Sequence, residues 1–405
     1  MTDVGDRLDQ AWRRYWPRLV AGLAARFRDL GLAEDAAADA FAAASRVWPV
    51  RGVPDEPMAW LTTAATRRAV DRVRRERVRA RSLPLLLVDE GDDDDDLLRL
   101  VFTCCHPALS VTSQVALTLR YVLGVPTAEV AALLTVAESA MAARLTRARA
   151  KLSGAGVAYR VPSPEELPQR LSAVLSVVYL AFTRGYAPRR GGEVASVEVA
   201  ADAIALGRML GDLMPGEPEV RALSALMMLQ HSRRDARVDA DGGLVLLPDQ
   251  DRGLWRMGEV AEAVRSLRGL VRAGVTGGRY FLEACIAAEH CVAGRPQDTD
   301  WRRIAGLYAR LEVLTGSPVV RVNRAVAVAE VEGPQAGLDL LEGVDGLLPR
   351  FHLLWAVRAD LAGRLGRRDE AVAAYRRALE SVTGAAQRRF LEDRLARWES
   401  QPEGS

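Results

Sequence analysis

The stretch PTAEVAALLTVAESAMAARLTRARAKL, residues 126–152, contains two helical patterns with a short break between them. The first pattern begins at Thr127 and repeats apolar residues at helical spacing, and the second begins near Glu138 after a turn. Met141, Leu145 and Ala148 form one apolar stripe along the second predicted helix. This spacing predicts a helix-turn-helix.

The opposite face of the second predicted helix is cationic. Four basic residues project away from the apolar stripe, namely Arg144, Arg147, Arg149 and Lys151. A helix that enters a DNA groove needs one face for the protein core and another whose guanidinium groups reach phosphates and guanine edges. The pattern equally describes a helical hairpin with a solvated basic surface, so both interpretations stay open at this point.

A second arginine-rich helix is predicted upstream, in WLTTAATRRAVDRVRRERVRAR, residues 60–81. Its apolar residues are in helical register, and its flanks carry Arg67, Arg68, Arg72, Arg74 and Arg75 beside Trp60. Arginines neutralise phosphates, and an aromatic side chain can receive an unstacked base. The pattern therefore indicates DNA binding, with an ordinary arginine-rich surface helix as the alternative.

The rest of the chain also predicts helices. Ala, Leu and Arg dominate the 405 residues, and alternating β-branched runs are nearly absent. The segment RVDADGGLVLLPDQD, residues 237–251, is the exception, because Gly242 and Gly243 can supply the turn of a small β-hairpin. We therefore expect an all-α protein with one small hairpin.

Composition separates the chain into blocks. Residues 8–81 end in arginines, 82–96 form an acidic segment expected to be a flexible linker, 97–157 form a compact helical unit, and 165–400 form a longer helical array. The array contains one good match to a tetratricopeptide repeat, in which six residues interlock two helices: Trp355, Ala359, Leu361, Ala371, Tyr375 and Ala378.

Charge, cysteines and motifs limit the remaining function classes. The 55 basic and 53 acidic residues nearly cancel, and no signal peptide or membrane-spanning run is recognisable, so we expect a cytoplasmic protein that does not bind membranes.

The cysteine cluster does not have the spacing of zinc ligands, because Cys104, Cys105 and His106 are adjacent. This favours structural packing, with a redox-sensitive thiol as the alternative. We find no catalytic motif and predict neither an enzyme nor a metal or cofactor.

Three segments in order resemble the extracytoplasmic-function sigma factors of bacterial RNA polymerase. These are LAEDAAADAF (32–41), AWLTTAATRRAVDRVRRER (59–77) and, after the acidic segment, LTLRYVLGVPTAEVAALLTVAESAMAARLTRARAKL (117–152). The tail resembles the subgroup with a tetratricopeptide-like C-terminal extension. The resemblance implies two small helical domains, sigma region 2 at 8–81 and region 4 at 97–157, before the helical array.

The resemblance also implies roles for single residues. Region 2 would bind core RNA polymerase through Glu34, Asp35, Asp39 and Phe41, and would read the minus-10 element with the segment around Trp60 to Arg75. Region 4 would face the minus-35 element with Ser139, Ala140, Ala143, Arg144 and Arg147.

The function implied by the resemblance is promoter-specific initiation of transcription. Core RNA polymerase and promoter DNA would be the partners, and the tetratricopeptide-like array at 165–400 would modulate activity. The resemblance leaves open a contact within the chain between this array and the sigma domains. The alternative is a helix-turn-helix regulator with a repeat sensor domain that does not replace sigma.

Overall fold

A computed structural model describes residues 2–79, 93–186, 194–239, 243–382 and 384–400. Its named elements are all helical, which confirms the all-α prediction for these ranges. Within them, no helix is both long and apolar enough to cross a membrane. The chain divides into two compact units, Met1–Pro215 and Gly216–Ser405.

The first unit is built from helices of very different lengths. They are α1 (Thr2–Phe27), α2 (Leu30–Arg51), α3 (Pro57–Arg79), α4 (Asp93–Cys104), α5 (Val111–Leu117), α6 (Thr127–Leu133), α7 (Glu138–Gly154), α8 (Leu167–Tyr186) and α9 (Val194–Leu213). A π-helical segment, Thr118–Val122, continues directly from α5.

The helices α1 to α3 pack together around large aromatic side chains. The Asp29 carboxylate begins α2 by accepting hydrogen bonds from the backbone N–H groups of Gly31 and Leu32, at 2.8 and 3.0 Å. Alanines then line the buried face of α2 at helical spacing, and this small-residue face lets the neighbouring helices approach closely. Trp16 and Trp48 are completely enclosed in the resulting core.

The acidic segment departs from the predicted flexible linker at 82–96. Residues 80–92 lie outside the described ranges, whereas Asp93 opens α4 and the aspartates up to Asp96 form its first turn. Arg99 pairs with Asp95 at 2.7 Å and with the buried Asp96 at 2.8 Å. These ion pairs and the helix dipole, which favours carboxylates at a helix N-terminus, stabilise the carboxylates of Asp95 and Asp96.

The helices α8 and α9 belong to the first compact unit, although the sequence placed residues from 165 onward in the C-terminal array. The helix α8 packs on α9 and also contacts α4 and α5. Arg170 on α8 donates a hydrogen bond to the Phe102 carbonyl at 2.7 Å. Buried residues on α8, from Leu171 to Phe182, recur at helical spacing and form one broad apolar face that packs against these neighbours.

The second unit is a series of helices that pack mainly on their sequence neighbours. They are α10 (Pro218–His231), α11 (Met257–Arg272), α12 (Arg279–Val292), α13 (Trp301–Thr315), α14 (Pro318–Glu332), α15 (Pro334–Leu340), α16 (Val344–Leu347), α17 (His352–Arg364), α18 (Arg368–Ser381) and α19 (Ala385–Glu399). The six residues that matched a tetratricopeptide repeat are buried, and all of them except Ala371 share one core with residues of α14. Packing of this kind is typical of helical repeats.

The predicted β-hairpin is not formed as a pair of strands in the described residues. Val238 and Leu244 make an isolated antiparallel bridge, and the Val245 N–H donates to the Arg237 carbonyl at 2.9 Å. Gly242 of the predicted turn lies outside the described residues. A 3₁₀ turn at Leu247–Asp249, which contains a proline without an N–H, ends the pairing before a ladder can develop.

Candidate nucleic-acid interface

The helix-turn-helix is formed by α6 and α7. Met141, Leu145 and Ala148 are buried, which confirms the predicted apolar stripe. Between the helices, Thr135 adopts a left-handed conformation with φ of 55°, and the Val136 N–H donates to the Ala131 carbonyl at 3.0 Å. This hydrogen bond closes the end of α6 in the manner of a Schellman turn and directs the chain into α7.

The predicted DNA-contacting residues of α7 separate into two groups. Helical spacing places most of them together on one outward side, and of these Ser139, Ala140, Arg147 and Lys151 are exposed while Ala143 and Arg144 are half-buried at its edge. Arg149 lies elsewhere on the helix. Its Nη1 is 3.5 Å from Oε2 of Glu34 on α2. Arg149 therefore faces α2 and does not lie on the outward side of α7.

Glu34 is the centre of a contact between α2 and the helices that follow α4. Its Oε1 is 2.6 Å from Nη2 of Arg120, and both side chains are only 14% exposed. Arg120 also lies over the Trp16 ring at 5.6 Å and donates to the Val125 carbonyl at 3.2 Å. A residue predicted to bind polymerase is therefore occupied by an internal ion pair.

The π-helical segment explains how Arg120 reaches this position, since a π turn shifts side-chain directions relative to an α-helix. Gly124 follows with φ of +71°, and a Cβ at this position would lie 2.7 Å from Nε1 of Trp12. The Trp12 Nε1–H donates to the Gly124 carbonyl at 3.2 Å. The sequence analysis missed this contact; the lone glycine in YVLGVP was its one local signal.

The other residues predicted to bind polymerase differ in accessibility. Asp39 is exposed, and Asp35 pairs with Arg72 of α3 at 2.7 Å. Phe41 is 3% exposed and packs against Trp12 at 4.8 Å between ring centroids. Phe41 thus packs α2 against α1, and its ring is not presented at the surface. Burial of an aromatic ring against other rings is more favourable than its exposure to water.

The arginines of α3 form an exposed basic surface. Arg67, Arg68, Arg74 and Arg75 are exposed, and Arg72 is the member that pairs with Asp35. Trp60 is half-buried, and its ring meets that of Trp48 edge-on at 5.8 Å. The structure therefore places Trp60 beside these arginines on the same helix, with its ring anchored by the core.

The cysteine pair belongs to the core of the first unit. Cys104 and Cys105 are fully buried free thiols. Burial raises the pKa of Cys105 to about 12, although a hydrogen bond with Thr118 lowers it in part. A thiol with such a pKa stays protonated and is neither a good nucleophile nor a good metal ligand. In the described part of the chain, no three His, Cys, Asp or Glu side chains are grouped as a metal site.

Comparisons with known proteins found matches to two family models and to one full-length relative. A family model described as "Sigma-70, region 4" matches residues 99–152, which include α6 and α7, and a model described as "Family of unknown function (DUF6596)" matches residues 170–270. No solved structure matches the chain. The chain is 39% identical over 416 residues to "Uncharacterized protein R00370" of Rhizobium meliloti (strain 1021), covering 99% of this chain and 98% of that protein.

The region 4 match indicates a DNA-binding role like that of a sigma factor, and it supports membership of the sigma-70 proteins. The similarity to the Rhizobium meliloti protein runs along almost the whole length of both chains. The chain therefore belongs to the same family as that protein, and it contains a sigma-70 region 4 domain.

Proposed function

We propose that the protein is an extracytoplasmic-function sigma factor that directs core RNA polymerase to specific promoters. The observation that carries this proposal is the outward face of α7 within the region 4 match, where Arg144 and Arg147 stand beside Ser139 on a helix anchored by its opposite face. A basic helix presented in this way is suited to the major groove of a minus-35 element. Such a factor would work in the cytoplasm.

A region 2 role for α1 to α3 rests on position and charge. The exposed arginines of α3 can neutralise the phosphates of a minus-10 element, and Trp60 beside them offers a ring to an unstacked base. Exposed Asp39 and half-buried Asp35 are the acidic groups of α2 that remain candidates for polymerase contacts. Contact through Glu34 would require its ion pair with Arg120 to open.

The C-terminal helices are proposed to modulate this activity as a tetratricopeptide-like domain. The hairpin of α17 and α18, with Trp355 and Tyr375 in its core, supports the repeat interpretation. A contact between this domain and the sigma domains is part of the proposal. Removal of residues 216–405 would change promoter output in a reporter strain, and unchanged output at equal protein levels would exclude modulation by the second unit.

Run-off transcription tests the central proposal. Purified protein and sigma-free core RNA polymerase would be combined with the DNA upstream of its own gene and with a library of promoter fragments. We expect discrete transcripts that are lost in the double variant Arg144→Ala/Arg147→Ala. The matched control Arg389→Ala/Arg397→Ala removes the same charge from exposed positions of α19 and should leave transcription unchanged.

The same experiment distinguishes the alternative function. DNA binding without core polymerase, together with no transcript from any template, would identify a helix-turn-helix regulator with a repeat sensor. Transcripts that persist in the α7 double variant would show that α7 does not read the promoter.

A further inference from the structure

The second unit contains a groove of about 470 Å³ that the proposed function does not use. It lies between α11 and α12, which both pack extensively on α10 but contact each other less. Arg303 of α13 also lines it. Binding sites for small molecules usually measure about 300–1,000 Å³, so the groove has room for one such molecule.

The lining of this groove is mainly apolar. Three side chains from each helix, at helical spacing, supply it: Val264, Leu267 and Val271 of α11 and Cys285, Ala288 and Val292 of α12. Burial raises the pKa of the Cys285 thiol, so this side chain stays uncharged. The groove therefore offers an apolar surface about two helical turns long, roughly 10 Å.

Two of these apolar side chains are exposed to water. Val271 is 58% exposed and Val292 is 55% exposed, and one stands on each wall of the groove. Single exposed apolar residues are normal on a protein surface, whereas exposed apolar residues that line the same groove are typical of a binding surface. A ligand with an apolar part would cover both valines.

The charged residues of the groove give it an excess of positive charge. Glu289 pairs with Arg303 at 3.1 Å, so these two charges balance each other. Arg268 and Arg272 also line the groove, and neither forms an ion pair with any described residue. The Arg272 Nε–H donates to the Arg268 carbonyl at 3.3 Å, which leaves the Nη groups of both arginines for a ligand. Two such arginines beside an apolar surface are complementary to a molecule with an apolar body and an anionic head.

We propose that this groove binds a small amphiphilic carboxylate, a molecule with an apolar chain or ring and one carboxylate group. Its apolar part would lie between α11 and α12 and cover Val271 and Val292. Its carboxylate, which matches the planar fork of a guanidinium group, would accept charge-assisted hydrogen bonds from Arg268 and Arg272. The binding step does not depend on the proposed function, whereas an effect of the ligand on transcription would rest on it.

The test uses the full-length protein without polymerase or DNA, and octanoate is the probe. Cys285 is half-buried in the groove, whereas the other three cysteines of the chain are buried. The rate at which N-ethylmaleimide alkylates Cys285, followed by mass spectrometry of its peptide, therefore reports occupancy of the groove. Calorimetric titration gives the dissociation constant. Octanoate at about ten times this constant should slow the alkylation about tenfold, because the occupied groove shields the thiol.

Related probes separate the apolar part of the ligand from its charge. Octanol keeps the chain without the charge, octyltrimethylammonium reverses the charge, and acetate keeps the carboxylate without the chain. We expect octanol to bind about tenfold more weakly than octanoate, since it lacks the charge-assisted hydrogen bonds. The ammonium compound and acetate should not saturate the groove at millimolar concentration.

Variants make the assignment specific. Arg268→Ala/Arg272→Ala should weaken octanoate binding about tenfold and change octanol binding by less than about twofold, because only the carboxylate uses these arginines. A merely structural role of the two arginines would not affect the acid alone. The matched control Arg265→Ala/Arg302→Ala removes the same charge from exposed positions outside the groove and should change neither affinity. Val271→Ala/Val292→Ala should weaken both probes about fivefold, since it removes apolar contact area.

Three results would overturn the proposal. They are the absence of saturable octanoate binding at millimolar concentration, binding of octanol or octyltrimethylammonium as tight as that of octanoate, and octanoate binding that leaves the alkylation rate of Cys285 unchanged, which would place the ligand elsewhere. None of these results bears on promoter recognition.

Discussion

The helices α7 and α18 are both arginine-rich, and each is the second helix of a hairpin, yet their arginines have different surroundings. On α18, Arg376 pairs with Glu399 at 2.7 Å and Arg377 lies 4.1 Å from the centre of the Trp355 ring. On α7, neither Arg144 nor Arg147 forms an ion pair with any described residue. The difference teaches that arginine content alone does not identify a nucleic-acid surface. On α7 the unpaired arginines indicate one because they lie within the sigma-70 region 4 match.

The largest expected effect comes from removing the unpaired arginines of α7. Arg144→Ala/Arg147→Ala should lower DNA affinity about a hundredfold, since a base or phosphate contact by arginine contributes about 1–3 kcal/mol. The slope of log affinity against log salt should become shallower by about two, because two fewer counterions are released. Fluorescence anisotropy over a series of salt concentrations measures both quantities.

The matched control for this prediction is Arg376→Ala/Arg377→Ala on α18. It removes the same charge from arginines that contact protein, so DNA affinity should stay within about twofold of the starting protein. Equal losses in the two double variants would break the distinction between the helices.

The next effect concerns the ion pair that joins α2 to the π-helical segment. Arg120→Ala removes the nearest cation from Glu34, whose side chain is mostly buried. It also removes the contact between the Arg120 guanidinium and the Trp16 ring. We expect the free energy of unfolding of the first unit to fall by about 2–3 kcal/mol. The loss is smaller than for a fully buried pair because both groups retain some contact with water. Urea unfolding followed by tryptophan fluorescence measures this change, and Arg147→Ala, in which an exposed arginine is lost, is the control.

The sequence predicted what depends on local periodicity and missed what depends on distant partners. The stripe of Met141, Leu145 and Ala148 follows from helical spacing alone, and it is buried as expected. The position of Arg149 depends on Glu34, which lies 115 residues away, and no local pattern distinguishes this arginine from Arg147. The burial of Phe41 likewise depends on Trp12 of another helix.

Two further differences have local causes that the sequence analysis did not weigh. The aspartates up to Asp96 were predicted to repel one another into a linker, but Arg99, one helical turn later, pairs with Asp95 and Asp96. The hairpin prediction relied on its glycines and gave too little weight to Pro248 beside the second segment. In both cases a residue next to the motif decides the outcome.

A smaller effect tests the inward arginine of α7. Arg149→Ala should change DNA affinity less than about threefold, and should destabilise the first unit by less than about 1 kcal/mol, because its contact with Glu34 is long and Arg120 remains. Anisotropy and urea unfolding of the same preparation measure the two values. A loss of affinity as large as that of Arg147→Ala would place Arg149 on the DNA-contacting face after all.

The smallest effect concerns the turns that precede α7 and α18. The turn before α18 uses Gly366 at φ of 74°, whereas the equivalent position before α7 is Thr135 at φ of 55°. Both turns close with a hydrogen bond of the same type, from the Arg367 N–H to the Ala362 carbonyl at 2.9 Å and from the Val136 N–H to the Ala131 carbonyl at 3.0 Å. The backbone demand is therefore the same, but only α18 meets it with glycine.

Thr135→Gly should consequently stabilise the first unit by about 0.5 kcal/mol. Relief of the left-handed strain contributes roughly 1–2 kcal/mol, and the greater freedom of glycine in the unfolded chain offsets about half of it. The reciprocal change Gly366→Ala should destabilise the second unit by about 1 kcal/mol. Urea midpoints give both signs. Destabilisation by Thr135→Gly would mean that the hydrogen bond from the Thr135 hydroxyl to the Leu134 carbonyl, at 2.8 Å, contributes more than the strain costs.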